Sequence, residues 1–180
     1  MITVFGSINV DLVMQVDSLP LPGETILCPE YLIIPGGKGA NQALAAHRAG
    51  APVRMIGCVG QDDFAGHALS FLRKEAVDLA GLATSQKPTC CAAVCVDSQG
   101  ENAIVVASGA NSDAAAAQIA EGMLGAEDWL VLQMEIPHEE NWTAVRMAKA
   151  AGASVMLSVA PAAPVPETAT GTPASCCASA

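Results

Sequence analysis

The chain has 180 residues, 8 of them basic and 18 acidic, for a net charge of −10. That length fits one domain, and the acidic balance argues against a nucleic-acid partner, which needs a basic patch facing phosphates. Hydrophobic residues make up 52% of the chain but aromatic ones only 3%, enough small aliphatic side chains to bury a core and too many for a disordered protein.

The segment Ile2 to Ile8 (ITVFGSI) is an apolar run of strand length, followed directly by Asn9-Val10-Asp11. Residues 12–34 hold short apolar stretches broken by Pro20, Pro22-Gly23 and Pro29, which predicts extended segments and turns rather than a helix. After the break Pro35-Gly36-Gly37, residues 38–49 are rich in helix formers, and Gly50 stands where such a helix stops. Val53 to Val59 predicts a second strand. Asp62 and Asp63 lead into an amphipathic helix over 64–77, an acidic start that suits the helix dipole. Thr89 to Asp97 and Ala103 to Ala107 flank the turn-like Ser98-Gln99-Gly100-Glu101 and predict a hairpin. An alanine-rich helix is predicted over Asp113 to Leu124, a buried strand over Trp129 to Met134, a helix over His138 to Ala151 and a strand over Ser154 to Val159.

Strands alternating with helices give an α/β fold with a mainly parallel sheet. The stretches 12–34 and 89–107 add a small accessory β layer to it. From Pro161 onward the texture changes. Four of the chain's eleven prolines lie in the last twenty residues, with Glu167 as the single charge, so residues 165–180 read as a disordered tail. No apolar run approaches the roughly 20 residues of a membrane span. The start of the chain has neither the basic segment nor the cleavage site of a signal peptide. The expected location is the cytoplasm, with no membrane partner. The seven cysteines include two adjacent pairs and no Cys-x-x-Cys, and His47, His67 and His138 are scattered. This set predicts reduced, packed thiols and no metal site.

Three polar positions follow strands or open a helix. Asn9 and Asp11 stand just past the first strand, and in open α/β sheets ligands sit outside the carboxyl ends of the strands. An amide and a carboxylate there can hydrogen-bond the vicinal hydroxyls of a sugar. The loop Pro35 to Asn41 opens a helix whose free N–H groups suit an oxygen-rich ligand. Its glycine spacing fits neither a Walker loop nor a dinucleotide fingerprint, which also argues against a nicotinamide-dependent enzyme. Glu135 follows the strand at 129–134 in the same way. Each feature alone is commonly structural; together they mark one rim.

At these residues the chain resembles the PfkB carbohydrate kinases, and ribokinases within them. Gly6-Ser7-Ile8-Asn9-Val10-Asp11 is similar to the opening motif of ribokinases, and Pro35-Gly36-Gly37-Lys38-Gly39-Ala40-Asn41-Gln42-Ala43 to the N-terminal signature of the family. Gly57-Cys58-Val59-Gly60 with Asp62-Asp63-Phe64, Gly100-Glu101-Asn102, Gly109-Ala110-Asn111 and Leu132-Gln133-Met134-Glu135-Ile136-Pro137 extend the resemblance over residues 1–164. It implies a ribokinase-like layered α/β/α fold with a β-sheet lid at about 12–34 and 89–107. It also implies ATP- and Mg²⁺-dependent phosphorylation of D-ribose or a similar pentose to the 5-phosphate. Asn9, Asp11, Gly37, Lys38, Asn41 and Glu135 would bind the sugar, and two lids would clasp as a homodimer.

The pattern breaks after residue 164. The family's Gly-Ala-Gly-Asp, which carries the catalytic base and anion hole, is absent, and so is its Asn-x-x-Glu phosphate and metal motif. No catalytic or metal-binding residue is therefore expected here, nor ATP binding by this chain alone. The Ala/Thr/Ser/Pro/Cys tail suggests a frameshift near residues 164–170, a genuinely short protein being the alternative. Two functions follow: the inactive sugar-binding half and lid of a kinase, or a non-catalytic module that pairs with an intact kinase through its lid.

Overall fold

The computed structural model describes residues 1–167 and the backbone of 175–177. The segment read as a disordered or frameshifted tail falls largely outside these residues. In chain order the elements are β1 (Ile2–Phe5), β2 (Asn9–Gln15), β3 (Tyr31–Gly36), α1 (Lys38–Arg48), β4 (Val53–Val59), α2 (Asp63–Ala68), α3 (Ser70–Lys74) and β5 (Asp78–Thr84). They continue with β6 (Cys90–Val96), β7 (Asn102–Ala107), β8 (Trp129–Gln133), α4 (His138–Ala150), β9 (Ser154–Ser158) and β10 (Ser175–Cys177).

The main sheet runs β10-β9-β8-β1-β4-β5, and all its pairings are parallel. Alternation along each strand sends side chains to opposite faces. Phe5, Ile56, Leu130, Leu132 and Leu157 meet Trp142, Val145 and Ala148 of α4 on one face. Val4, Met55 and Val131 meet Ala40, Ala43 and Leu44 of α1 on the other. Helices on both faces are what an all-parallel sheet requires. The cover is partial on the α1 side, where an apolar groove of about 300 Å³ runs between α1 and β9 over Ile2, Val131, Met156 and the edge of Trp129.

The second sheet, β3-β2-β6-β7, pairs β2 with β6 in parallel and closes with an antiparallel strand at each edge. This is the accessory layer expected from 12–34 and 89–107. Four sequence expectations need correction, the first being that the single helix read over 64–77 is two short ones, α2 and α3, parted at Leu69. The run 2–8 is not one strand: it breaks at Gly6-Ser7-Ile8, and β1 and β2 belong to different sheets. A strand not marked in the sequence reading, β5, forms the edge beside β4.

Asp113 to Leu124 is not an α-helix but two short 3₁₀ turns, Gly109–Asp113 and Ala116–Gln118. Side-chain hydrogen bonds from outside and within the segment pin it in this form. Ala115 N–H is taken by Gln118 Oε1 at 2.8 Å and Ala116 N–H by Glu140 Oε2 at 2.7 Å. Gln118 Nε2 meanwhile donates to the carbonyls of Gly57 and Gly81. Tertiary hydrogen bonds thus override the alanine propensity.

Candidate functional site

The site forms where β1 passes into β2. Ser7 lies in the break between them and is fully buried. Its hydroxyl donates to Glu135 Oε2 at 2.6 Å, and the same carboxylate oxygen accepts the backbone N–H of Lys38 at 3.0 Å. Ser7 Oγ in turn accepts the N–H of Gly39 at 3.2 Å, and Ser7 O accepts that of Ala40 at 2.9 Å. The first three N–H groups of α1 are thereby all engaged by Ser7 and Glu135, where the sequence reading left them free for a ligand. No side chain of α1's own caps it, so two residues distant in sequence satisfy its orphan donors.

Two glycines permit this approach. Gly37 has φ 94°, a conformation side-chain-bearing residues avoid. A methyl group on Gly39 would stand 2.7 Å from Ser7 N, closer than atoms can pack.

Asp11 is half-buried on β2, its carboxylate lying directly over Gly36. Burial pushes its pKa up, and the charge of Glu135 pushes it further, so the two carboxylates sense each other. Lys38 Nζ stands 4.0 Å from Glu135 Oε1, and Asn41, one turn into α1, is exposed. Asn9 is buried with its Oδ1 accepting Asn111 Nδ2 at 2.8 Å. Asp11, Gly37, Lys38 and Glu135 thus converge on one rim. Asn41 stands at its border, and Asn9 is buried beside it with its oxygen turned to Asn111.

An open cleft of about 490 Å³ adjoins the rim, with Glu135, Ser108, Ser112 and His138 in its walls. The sequence signals no role for Ser7 or Asn111, although they lie in Gly6-Ser7-Ile8-Asn9-Val10-Asp11 and Gly109-Ala110-Asn111. A serine or asparagine facing inward carries no signal until its partners are placed. Cys90, opposite Asn9 across β2 and β6, is no nucleophile: burial, then the Glu135 charge, pushes its thiol up to about 12.

Paired carboxylates, a lysine and an asparagine gathered where β2, the end of β8 and the start of α1 meet suit a ligand rich in hydroxyl groups. The pfkB family carbohydrate kinase model matches residues 1–171. The chain belongs to this family. It is similar to a ribokinase of Haemophilus influenzae (40% identical over 164 residues, 89% of this chain and 54% of that one) and to one of Bacillus subtilis (36% over 166 residues, 91% and 57%). Among solved structures, a ribokinase from Thermotoga maritima superposes with a TM-score of 0.83 at 34% identity, covering 93% of this chain and 55% of that one. An Arabidopsis thaliana ribokinase complexed with ribose and ATP gives 0.75 at 29%, covering 88% and 53%. The chain spans about half the length of the curated relatives it matches. The ribokinase-like α/β fold with its second, smaller sheet is therefore the fold of this family.

Proposed function

We propose that this chain is the sugar-recognising half of a ribokinase-like enzyme. Its ligand is D-ribose or a similar pentose, and the reaction of the complete fold is ATP-dependent phosphorylation to the 5-phosphate. The observation that carries this reading is Glu135, drawn to the start of α1 by Ser7 and Lys38 and close enough to Asp11 to raise its pKa. Asp11 and Glu135 accept hydrogen bonds from sugar hydroxyls. Lys38 keeps the two negative charges from repelling the ligand's oxygens, and Asn9, Gly37 and Asn41 complete the outline.

ATP and Mg²⁺ would supply the phosphoryl group and its charge neutralisation. The residues of this chain do not fit them. The two family motifs for that purpose are absent from the sequence, and among the described residues no three His, Cys, Asp or Glu side chains cluster as metal donors. No transfer step is therefore assigned to this chain, and it is expected to be inactive alone. The proposed location is the cytoplasm; among the described residues no helix is long and apolar enough to cross a membrane.

Calorimetric titration of D-ribose into the purified chain tests the reading. Saturable binding that Asp11→Ala removes supports it, and no binding by the unaltered chain overturns it. Phosphate transfer from ATP above background overturns the inactivity.

A second reading rests on the exposed apolar residues of β3 and β7, with Ile104 52% and Val105 74% accessible. It makes the chain a module that pairs through this sheet, with itself as a homodimer or with an intact kinase. Co-purification with a full-length relative distinguishes it.

A further inference from the structure

Asn111 lies on the 3₁₀ turn that follows β7 and is 1% exposed. Its side chain faces two groups of unequal freedom. The backbone N–H of Ile8 can only donate, and Asn111 Oδ1 accepts from it at 3.1 Å. That bond fixes which way the Asn111 amide points, because the alternative would set an NH₂ group against an N–H. Asn111 Nδ2 therefore faces Asn9, and donates to its Oδ1 at 2.8 Å. The Asn9 amide is oriented in its turn: its oxygen is engaged, and its Nδ2 is the half left over. A one-way donor in the backbone at residue 8 thus sets, through two amides, the polarity of a side chain at residue 9.

The surroundings hold this relay rigid. Asn9 and Asn111 are both buried, and Gly109, on the same turn, is packed against the carbonyl of Pro88 so closely that a side chain would collide with it. The Asn111 amide also lies near the Cys90 thiol, whose pKa it lowers against the larger effect of burial. The turn after β7, the entry to β6 and the β1–β2 junction are thus joined at one side chain.

We propose that Asn111 is a positioning residue that fixes the Asn9 amide with its donor half toward the ligand. Asn9 then recognises an oxygen lone pair, while the carboxylates of Asp11 and Glu135 recognise hydroxyl hydrogens. The pocket selects a polyol by a set pattern in which the Asn9 donor stands against the two carboxylate acceptors. This rests on the reading that Asn9 belongs to a sugar site.

The test is ¹H–¹⁵N spectroscopy of the side-chain amides of the full chain, with D-ribose as the probe. In the unaltered protein the Asn111 NH₂ exchanges slowly and the Asn9 NH₂ quickly; the reverse order overturns the proposal with no substitution needed. Asn111→Asp keeps an oxygen for Ile8 and removes the donor. The Asn9 amide is then expected to turn its NH₂ to the new carboxylate, moving downfield and exchanging more slowly, while ribose affinity falls about tenfold, the loss of one well-placed hydrogen bond. Asn9 signals that do not move in this variant overturn the proposal. Asn111→Ala should weaken ribose binding without the downfield shift, which separates orientation from simple loss of packing. Added ribose should protect the Asn9 NH₂ and leave that of Asn111 unchanged. A ribose-insensitive Asn9 in the unaltered chain overturns the recognition step and the sugar-site reading, while the exchange order alone decides the amide orientation.

Discussion

Strand β8 reads WLVLQ and strand β7 reads NAIVVA, yet four of the five residues of β8 are buried and all six of β7 are exposed. Both are apolar runs of similar length. The difference is position. β8 lies between β1 and β9 with α4 on one face and α1 partly on the other. β7 is an edge strand of a sheet whose outer side no helix covers among the described residues. Hydropathy states that a strand must be hidden, but topology decides whether its own chain hides it. The described residues leave β3 and β7 uncovered, and apolar edge strands left open invite pairing.

Substitutions can break this contrast. The largest effect is expected for Leu132→Ala in β8, which is fully buried: a loss of about 2–5 kcal/mol in urea unfolding. Ile33→Ala in β3 should cost far less, and equal losses would mean that the small sheet is as well covered as the large one. Gly39→Ala comes next, at about 1–3 kcal/mol, because its methyl group would meet Ser7 N. It should also free Glu135, read as faster exchange of the Lys38 amide.

Asp62 and Asp11 sharpen the contrast electrostatically. Asp62 caps α2 and ties it to the root of β6, accepting Thr89 N–H and Thr89 Oγ1–H, both at 2.7 Å, and Ala65 N–H at 3.1 Å. Burial raises its pKa, but these hydrogen bonds outweigh that and leave it lowered. Its stabilisation is complete above the ordinary carboxylate range and is lost as pH falls through the folded value. Asp62→Ala should cost about 1–2 kcal/mol at pH 7, and less in acid.

Asp11 has the opposite sign. Its raised pKa means that its charge weakens the fold above the folded value, a penalty that vanishes below the ordinary carboxylate range. Asp11→Asn is expected to raise the melting temperature at pH 7 by about 2 °C while weakening ribose binding roughly tenfold or more. The smallest change in stability, within about 0.5 kcal/mol, is expected for Ile33→Lys with Val105→Lys. That pair should still abolish self-association in sedimentation if the outer face of the small sheet is an interface.

Much of this was legible in the sequence because the signals were local. Gly50 and Gly152, both with positive φ, end the two longest helices where the pattern put them, and the hairpin at 89–107 formed around its predicted turn. Asp11, Lys38 and Glu135, read from strand ends and a glycine-rich helix start, lie together at the start of α1. What stayed hidden depends on partners far along the chain. The turns at 109–118 are held by Glu140 and by carbonyls of β4 and β5, none of which a window around alanines can register. Ser7 and Asn111 gain meaning only when Glu135 and Asn9 arrive beside them.

The hydrogen bond between Ser7 and Glu135 spans 128 residues, and this has a consequence for birth rather than for binding. β1 is made first, but one of its two neighbours in the sheet, β8, starts at Trp129. At about 5–20 residues per second of translation, Ser7 waits roughly 6–26 s for its acceptor. During that interval β1 can pair with β4 on one side only, and its other edge is bare. The rim held by Ser7 and Glu135 can therefore set only after β8 has been made, and slowing synthesis ahead of Trp129 should lengthen the time for which this edge of β1 stays open.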